Sequence, residues 1–122
     1  MQNGSGFMRA IRATKCSAKG LAAAWKNESA FRQELTLALL FIPLGLWLGQ
    51  NTAEKLLLIF AVFLVIIIEL LNSAIEACID RVGEDFHELA GRAKDLGSAA
   101  VFVSLIFTGL AYSLTAISRF TH

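Results

Sequence analysis

Apolar residues in this sequence are pooled in blocks, and the charged residues fall between the blocks. The first block, residues 35–48, reads LTLALLFIPLGLWL. The second starts after Lys55 as LLLIFAVFLVIII, meets Glu69, and resumes through Leu70, Leu71, Ala74, Ile75 and residues 77–79. The third, residues 97–117, runs 21 residues without a charge. A bilayer core of about 30 Å takes about 20 helical residues to cross, so the blocks predict three spans. Helices are required because hydrocarbon offers no partner to unpaired backbone groups. The predicted spans are about 30–49, 55–80 and 96–118, the first lengthened by starting near Ala30. Pro43 predicts a local kink in the first span, and Gly45 with Gly49 forms a GxxxG that marks close helix contact.

The residues before the first span have a different period. Phe7, Ile11, Ala18, Leu21 and Trp25 fall within about 40° of one line at 100° per residue, with Thr14 as the polar member. Arg9, Arg12, Lys15, Lys19 and Lys26 lie off that line. This pattern predicts an amphipathic helix over about 6–27 lying in the membrane interface, basic side towards water and anionic headgroups. Gly20 is a point at which it divides in two. A helix that merely packs on the bundle is the alternative.

Composition agrees with a membrane protein. The chain is 122 residues, 56% hydrophobic and 17% charged, with a mean hydropathy of +0.60. That length allows one domain, 1–122, in which a few helices bury little surface by themselves. A net charge of +1, without a basic run interleaved with aromatics, gives no sign of a nucleic-acid partner. Cys16 and Cys78 have neither zinc-type nor CxxC spacing and read as small apolar fillers. No apolar stretch ending in a small-residue cleavage site follows the N-terminal charges, so no signal peptide is expected. Arg9, Arg12, Lys15, Lys19, Lys26 and Arg32 precede the first span, and Arg81, Arg92 and Lys94 sit between the second and third. The positive-inside rule puts the N-terminus and residues 81–95 in the cytosol and the C-terminus outside.

The second span carries the candidate chemistry. With Glu69 at 0°, Asn72 falls at about −60°, Glu76 at about −20°, Ser73 at about +40° and Asp80 at about +20°. The polar residues therefore share one stripe, which continues as Val65 and Val62 in the other half of the helix. A charge within the bilayer costs at least about 2.5 kcal/mol unless compensated. A polar interhelical contact accounts for one such residue, but not for a row of four. Glu28, Arg32 and Glu34 lie where the first helix turns into the first span. His87, Gly91, Lys94, Asp95 and Ser98 share one face of a helix leading into the third. Hard carboxylate oxygens suit magnesium, which takes one or two carboxylates and then nucleotide phosphates. Lys94 is placed to meet a phosphate, and Glu69, deeper, is placed to take a proton from a lipid-anchored hydroxyl. No Walker loop and no protein-kinase motif occurs. Phosphoryl transfer needs mainly alignment and charge neutralisation, but spacing alone leaves enzyme, transporter and ion pathway open.

The runs AAWKNESAFRQE (23–34), ELLNSAIEACIDR (69–81) and HELAGRAKDLGSAAV (87–101) resemble the bacterial integral-membrane diacylglycerol kinase family over nearly the whole chain. The resemblance implies an all-α homotrimer of three-span subunits with an N-terminal surface helix, sited in the inner membrane with the C-terminus periplasmic. Its sites are shared between neighbouring subunits, which fits a polar stripe that three helices cover poorly. The implied activity is transfer of the γ-phosphoryl group of ATP, with Mg2+, to the hydroxyl of diacylglycerol, giving phosphatidic acid in phospholipid recycling. By motif, Glu69 is the implied general base, and Glu28 and Glu76 hold metal and ATP. Lys94, Asp95, His87, Asp85 and Arg9 are the implied nucleotide contacts. Asn72, Glu34, Ser98 and Trp25 support the site or meet the lipid. Related sequences often have Glu-Tyr-His where this one has Asp85-Phe86-His87. Two alternatives stand beside this reading, an undecaprenol kinase of the same fold and a non-enzymatic ion or proton pathway.

Overall fold

The computed structural model describes residues 6–82 and 88–121. Among them are four helices and no strand: α1 (Gly6–Asn27), α2 (Ser29–Leu48), α3 (Thr52–Val82) and α4 (Glu88–Thr121). Three of these, α2, α3 and α4, are long and apolar enough to cross a membrane, and the chain is an integral membrane protein built only of helices. The central helix is α3, which packs along both α2 and α4, while α2 and α4 touch only lightly.

The helices begin and end where local chemistry allows it. Asn51 caps α3, its Oδ1 accepting from the Glu54 backbone N–H at 2.9 Å, and Glu54 Oε1 accepts from the Gln50 N–H at 2.9 Å. This reciprocal pattern satisfies donors that the first helical turn leaves unpaired. Gly49 closes α2, donating its N–H to the Gly45 carbonyl. Between α1 and α2 only Glu28 leaves the helical conformation, at φ −119° and ψ 107°. Arg32 spans this elbow: its Nη1 donates to the Trp25 carbonyl at 2.6 Å and to the Lys26 carbonyl at 3.3 Å. A cation on the last carbonyls of a helix is favourable there.

The division of the first helix at Gly20 does not occur. Gly20 lies inside a continuous α1, because one helical glycine costs only about 1 kcal/mol and Lys19 and residues 21–24 are good helix formers. Thr14 turns its hydroxyl inward to the Ala10 carbonyl at 2.8 Å, so it presents no free hydroxyl at that point of the helix. Among the residues of α1 only Ala24 is buried. Phe7, Leu21 and Trp25 remain exposed.

The core of the three long helices is small. Ala38, Leu48, Leu58, Val62, Ala111 and Tyr112 form its buried cluster. Gly45 lets the helices close: a Cβ there would lie 2.9 Å from the Tyr112 hydroxyl and 3.0 Å from the Leu58 Cβ. The Tyr112 hydroxyl donates to the Phe41 carbonyl at 2.6 Å and reaches the Leu58 carbonyl at 3.4 Å, tying α4 to both partners. The Phe41 and Tyr112 rings meet edge-on at 5.3 Å. The other glycine of the GxxxG, Gly49, packs on Lys55 of its own turn instead.

Candidate active site

The polar stripe of α3 faces inward, and its burial decreases steadily along the helix. Glu69 is 5% exposed; Asn72, Ser73 and Glu76 are half-buried; Asp80 is exposed. Leu71, Ala74 and Ile75, which fall off the stripe, are exposed. The arrangement inverts that of a water-soluble helix, as expected where the surrounding medium is itself apolar. Helix α3 has 31 residues, about 46 Å at 1.5 Å per residue. A hydrocarbon core of about 30 Å is crossed in about 20 of them. With Thr52 at the far boundary, Glu69 sits within one turn of the near boundary, and Glu76 and Asp80 lie beyond it.

Glu34, Glu76 and Glu28 are all near enough to act electrostatically on Glu69. They come from three places in the chain: Glu28 from the elbow, Glu34 from the second turn of α2, and Glu76 from two turns above Glu69. The extended backbone at Glu28 is what brings its half-buried side chain to this point. Among the described residues none donates a hydrogen bond to the Glu69 carboxylate, and none pairs Glu28 or Glu76 with a basic group. No cluster of three or more His, Cys, Asp or Glu that would hold a metal unaided occurs among the described residues. Beside Glu28 a groove of about 630 Å³ opens between α1 and α3, bounded by Gly20, Leu21, Ala24, Leu70 and Ser73. Its walls are mostly apolar, with Ser17, Asn27, Glu28 and Ser73 the polar members.

Asn72 is oriented by its neighbours. Its Nδ2 points to Glu76 Oε2 at 3.5 Å, leaving Oδ1 buried with no hydrogen-bond partner. This oxygen lies against Gly97 of α4, where a Cβ would overlap it. A buried acceptor without a donor is costly, so the amide is held by its setting rather than by its own bonding. Gly97 was not singled out from the sequence. The signal available was its place in the GRAKDLGS string, opposite a polar stripe that leaves no room for a side chain.

The remaining candidates are spread more widely. Lys94 is not a free cation: its Nζ lies 3.0 Å from Asp80 Oδ1. Asp95 and Ser98 are exposed on α4, and Arg9 and Trp25 are exposed on α1. Among the described residues no hydrogen bond or ion pair joins the side chains of these four to the acids. Arg32, grouped with the acids from its position, instead caps α1. Asp85 and His87 lie outside the described residues.

A three-span helical protein with acids gathered at one membrane boundary is defined as a membrane-embedded carboxylate-site protein by its fold and its site. Comparison with known proteins makes this specific. Residues 15–115 match the family model described as prokaryotic diacylglycerol kinase, and the chain belongs to that family. It is 49% identical over 118 residues to the diacylglycerol kinase of Escherichia coli strain K12, covering 97% of each chain. It is 48% identical over 112 residues to the Haemophilus influenzae diacylglycerol kinase, covering 92% of this chain and 95% of that one. The Helicobacter pylori strain 26695 protein of the same name is 46% identical over 107 residues, covering 88% of this chain and 84% of its own.

Proposed function

We propose that this protein is a diacylglycerol kinase of the bacterial inner membrane, phosphorylating the lipid hydroxyl with ATP to give phosphatidic acid. The observation that carries the reading is Glu69, an acid only 5% exposed on a helix long and apolar enough to cross a membrane. In a chain 49% identical to a named kinase over 97% of its length, such a carboxylate is best used as a base. The acceptor hydroxyl of a diacylglycerol stays near the headgroup boundary because its acyl chains hold it there, and Glu69 is at that depth.

In the transfer, the hydroxyl oxygen forms the new bond to the γ-phosphorus as the bond from that phosphorus to the β,γ-bridging oxygen breaks. ADP leaves with the electron pair, and Glu69 accepts the hydroxyl proton. A carboxylate within hydrogen-bond reach of the reacting hydroxyl can serve in this way. Glu34, on α2, adds a further negative charge within electrostatic range of Glu69.

Glu28 and Glu76 supply hard oxygens, two carboxylates that no basic group neutralises among the described residues. Together with the oxygens of a triphosphate these fit Mg2+, which commonly takes one or two protein carboxylates. Bound there, the ion would neutralise charge on the transferring phosphoryl group. Lys94 serves the phosphates, with Asp95, Asp85, His87 and Arg9 as further nucleotide contacts. Ser98 and Trp25 meet the lipid, and α1 rests on the headgroups with its basic face outward. The basic residues around the first span and between the second and third favour a cytosolic N-terminus and a periplasmic C-terminus. Among the described residues Arg9, Asp95 and Ser98 make no hydrogen bond or ion pair to the acids of their own chain, which fits a homotrimer in which neighbours complete each site.

The test is phosphorylation of diacylglycerol and of undecaprenol by the purified protein with labelled ATP. Diacylglycerol is the expected acceptor, and preference for undecaprenol would overturn the substrate assignment. In the same assay Glu69→Gln is expected to lose at least about 100-fold in turnover, the lower range for a general base, while retaining nucleotide binding. Glu76→Gln is expected to weaken Mg-ATP binding. A fully active Glu69→Gln would overturn the base assignment, and ion flux without ATP turnover would replace the enzyme by a pathway.

A further inference from the structure

Asp80 is the outermost member of the α3 stripe, and the chemistry above gives it no task. It nevertheless makes a salt bridge, accepting from Lys94 Nζ at 3.0 Å across the α3–α4 interface. The two side chains are 68% and 44% exposed, respectively, and an ion pair so open to solvent adds little to stability. The pairing matters instead for where the ammonium is. Lysine carries a flexible four-carbon stem, and much of its side-chain freedom is lost when it is fixed on a ligand. An ammonium also has three donors, of which Asp80 takes one. Two remain, on a group already fixed at the Asp80 carboxylate.

We infer that Asp80 is a positioning residue, which fixes the Lys94 ammonium in advance so that its remaining N–H groups meet the phosphates of the incoming nucleotide. The inference rests on the nucleotide role proposed for Lys94 and adds to it a residue on a different helix. Asp80 touches neither substrate. It acts by removing in advance part of the ordering that nucleotide binding would otherwise have to impose on Lys94.

The experiment is steady-state kinetics of the full chain in mixed micelles with diacylglycerol, varying Mg-ATP, for D80N, D80E, K94M and the D80N/K94M double variant. Asp80→Asn is expected to raise KM for Mg-ATP by about three- to tenfold, the scale of ordering one flexible side chain, with kcat within about twofold. Asp80→Glu keeps the carboxylate and is expected to restore KM. In the K94M background D80N is expected to add nothing to KM. An unchanged or lowered KM in D80N overturns the inference, since a lowered one means that Asp80 competes with phosphate. An equal D80N effect with and without Lys94 also overturns it. If K94M raises KM and D80N does not, only the role of Asp80 fails. If K94M leaves KM unchanged, the nucleotide role of Lys94 fails as well.

Discussion

Asn72 illustrates how narrow the tolerances of the site are. Its amide has one long hydrogen bond to Glu76 and one buried oxygen without a donor, and it keeps this posture because Gly97 leaves space for it. Gly97→Ala would fill that space and push the amide away from Glu76. Since displacing a reacting group by about 1 Å can cost up to about 100-fold in rate, we expect G97A to lower kcat by about 10- to 100-fold. The helical content by circular dichroism should be unchanged. At this scale the sequence was informative along a single helix. Stepping by 100° put Glu69, Asn72, Ser73, Glu76 and Asp80 on one face, and their graded burial follows that order. It was uninformative between helices. Lys94 and Asp80 are 14 residues apart on two helices, and helical periodicity carries no information about how two helices register. Arg32 was grouped with the acids for the same reason, because spacing places a guanidinium without saying that two helix-end carbonyls will take it.

Among the elements, the contact of α2, α3 and α4 at Tyr112 has the most specific chemistry. The hydroxyl bonds two carbonyls on two other helices, and Gly45 admits it. Tyr112→Phe should destabilise the fold by about 0.5–1.5 kcal/mol, the net worth of a hydrogen bond. Gly45→Ala, whose Cβ would crowd both the hydroxyl and Leu58, should cost about 1–3 kcal/mol. Reversible unfolding in mixed detergent and dodecyl sulfate, followed by the fluorescence of Trp25 and Trp47, measures both, since Tyr112 is the one tyrosine in the sequence. The GxxxG reading was half right for a physical reason. Gly45 lies mid-span, where close approach is what a missing side chain provides, whereas Gly49 sits at the helix end and serves the turn. The three apolar blocks were legible because hydrocarbon leaves helices little compositional choice. The caps of α3 and the unbroken α1 depended on local hydrogen bonds and propensities that block-level hydropathy does not register.

For the molecule as a whole, the orientation and the assembly are the properties to measure. Both cysteines are free and exposed, which makes this chain its own topology probe. With Cys78 replaced by serine, Cys16 on α1 should react with a membrane-impermeant maleimide in inverted vesicles and stay unlabelled in right-side-out ones. Labelling from the outside would reverse the proposed orientation. Native mass measurement in detergent should give three copies of the 13.3 kDa chain. Single chains that retain full activity would remove the need for shared sites. The assembly is the property least visible in one sequence, because an apolar helix face reads the same whether lipid or a second helix covers it.

The length of α3 sets how the two substrates can meet. Because the helix outruns the hydrocarbon by about 16 Å, its acids form a staircase that starts at Glu69, at the edge of the hydrocarbon, and rises through Glu76 and Asp80 into the headgroup layer. In the proposed reaction a highly charged nucleotide descends it from water without shedding its hydration into hydrocarbon, and the uncharged lipid has only to present one oxygen at the lowest step. The phosphate added there is delivered at the level where a phospholipid headgroup already rests. The product therefore needs no climb to reach its equilibrium depth, and it can leave sideways into the leaflet it came from.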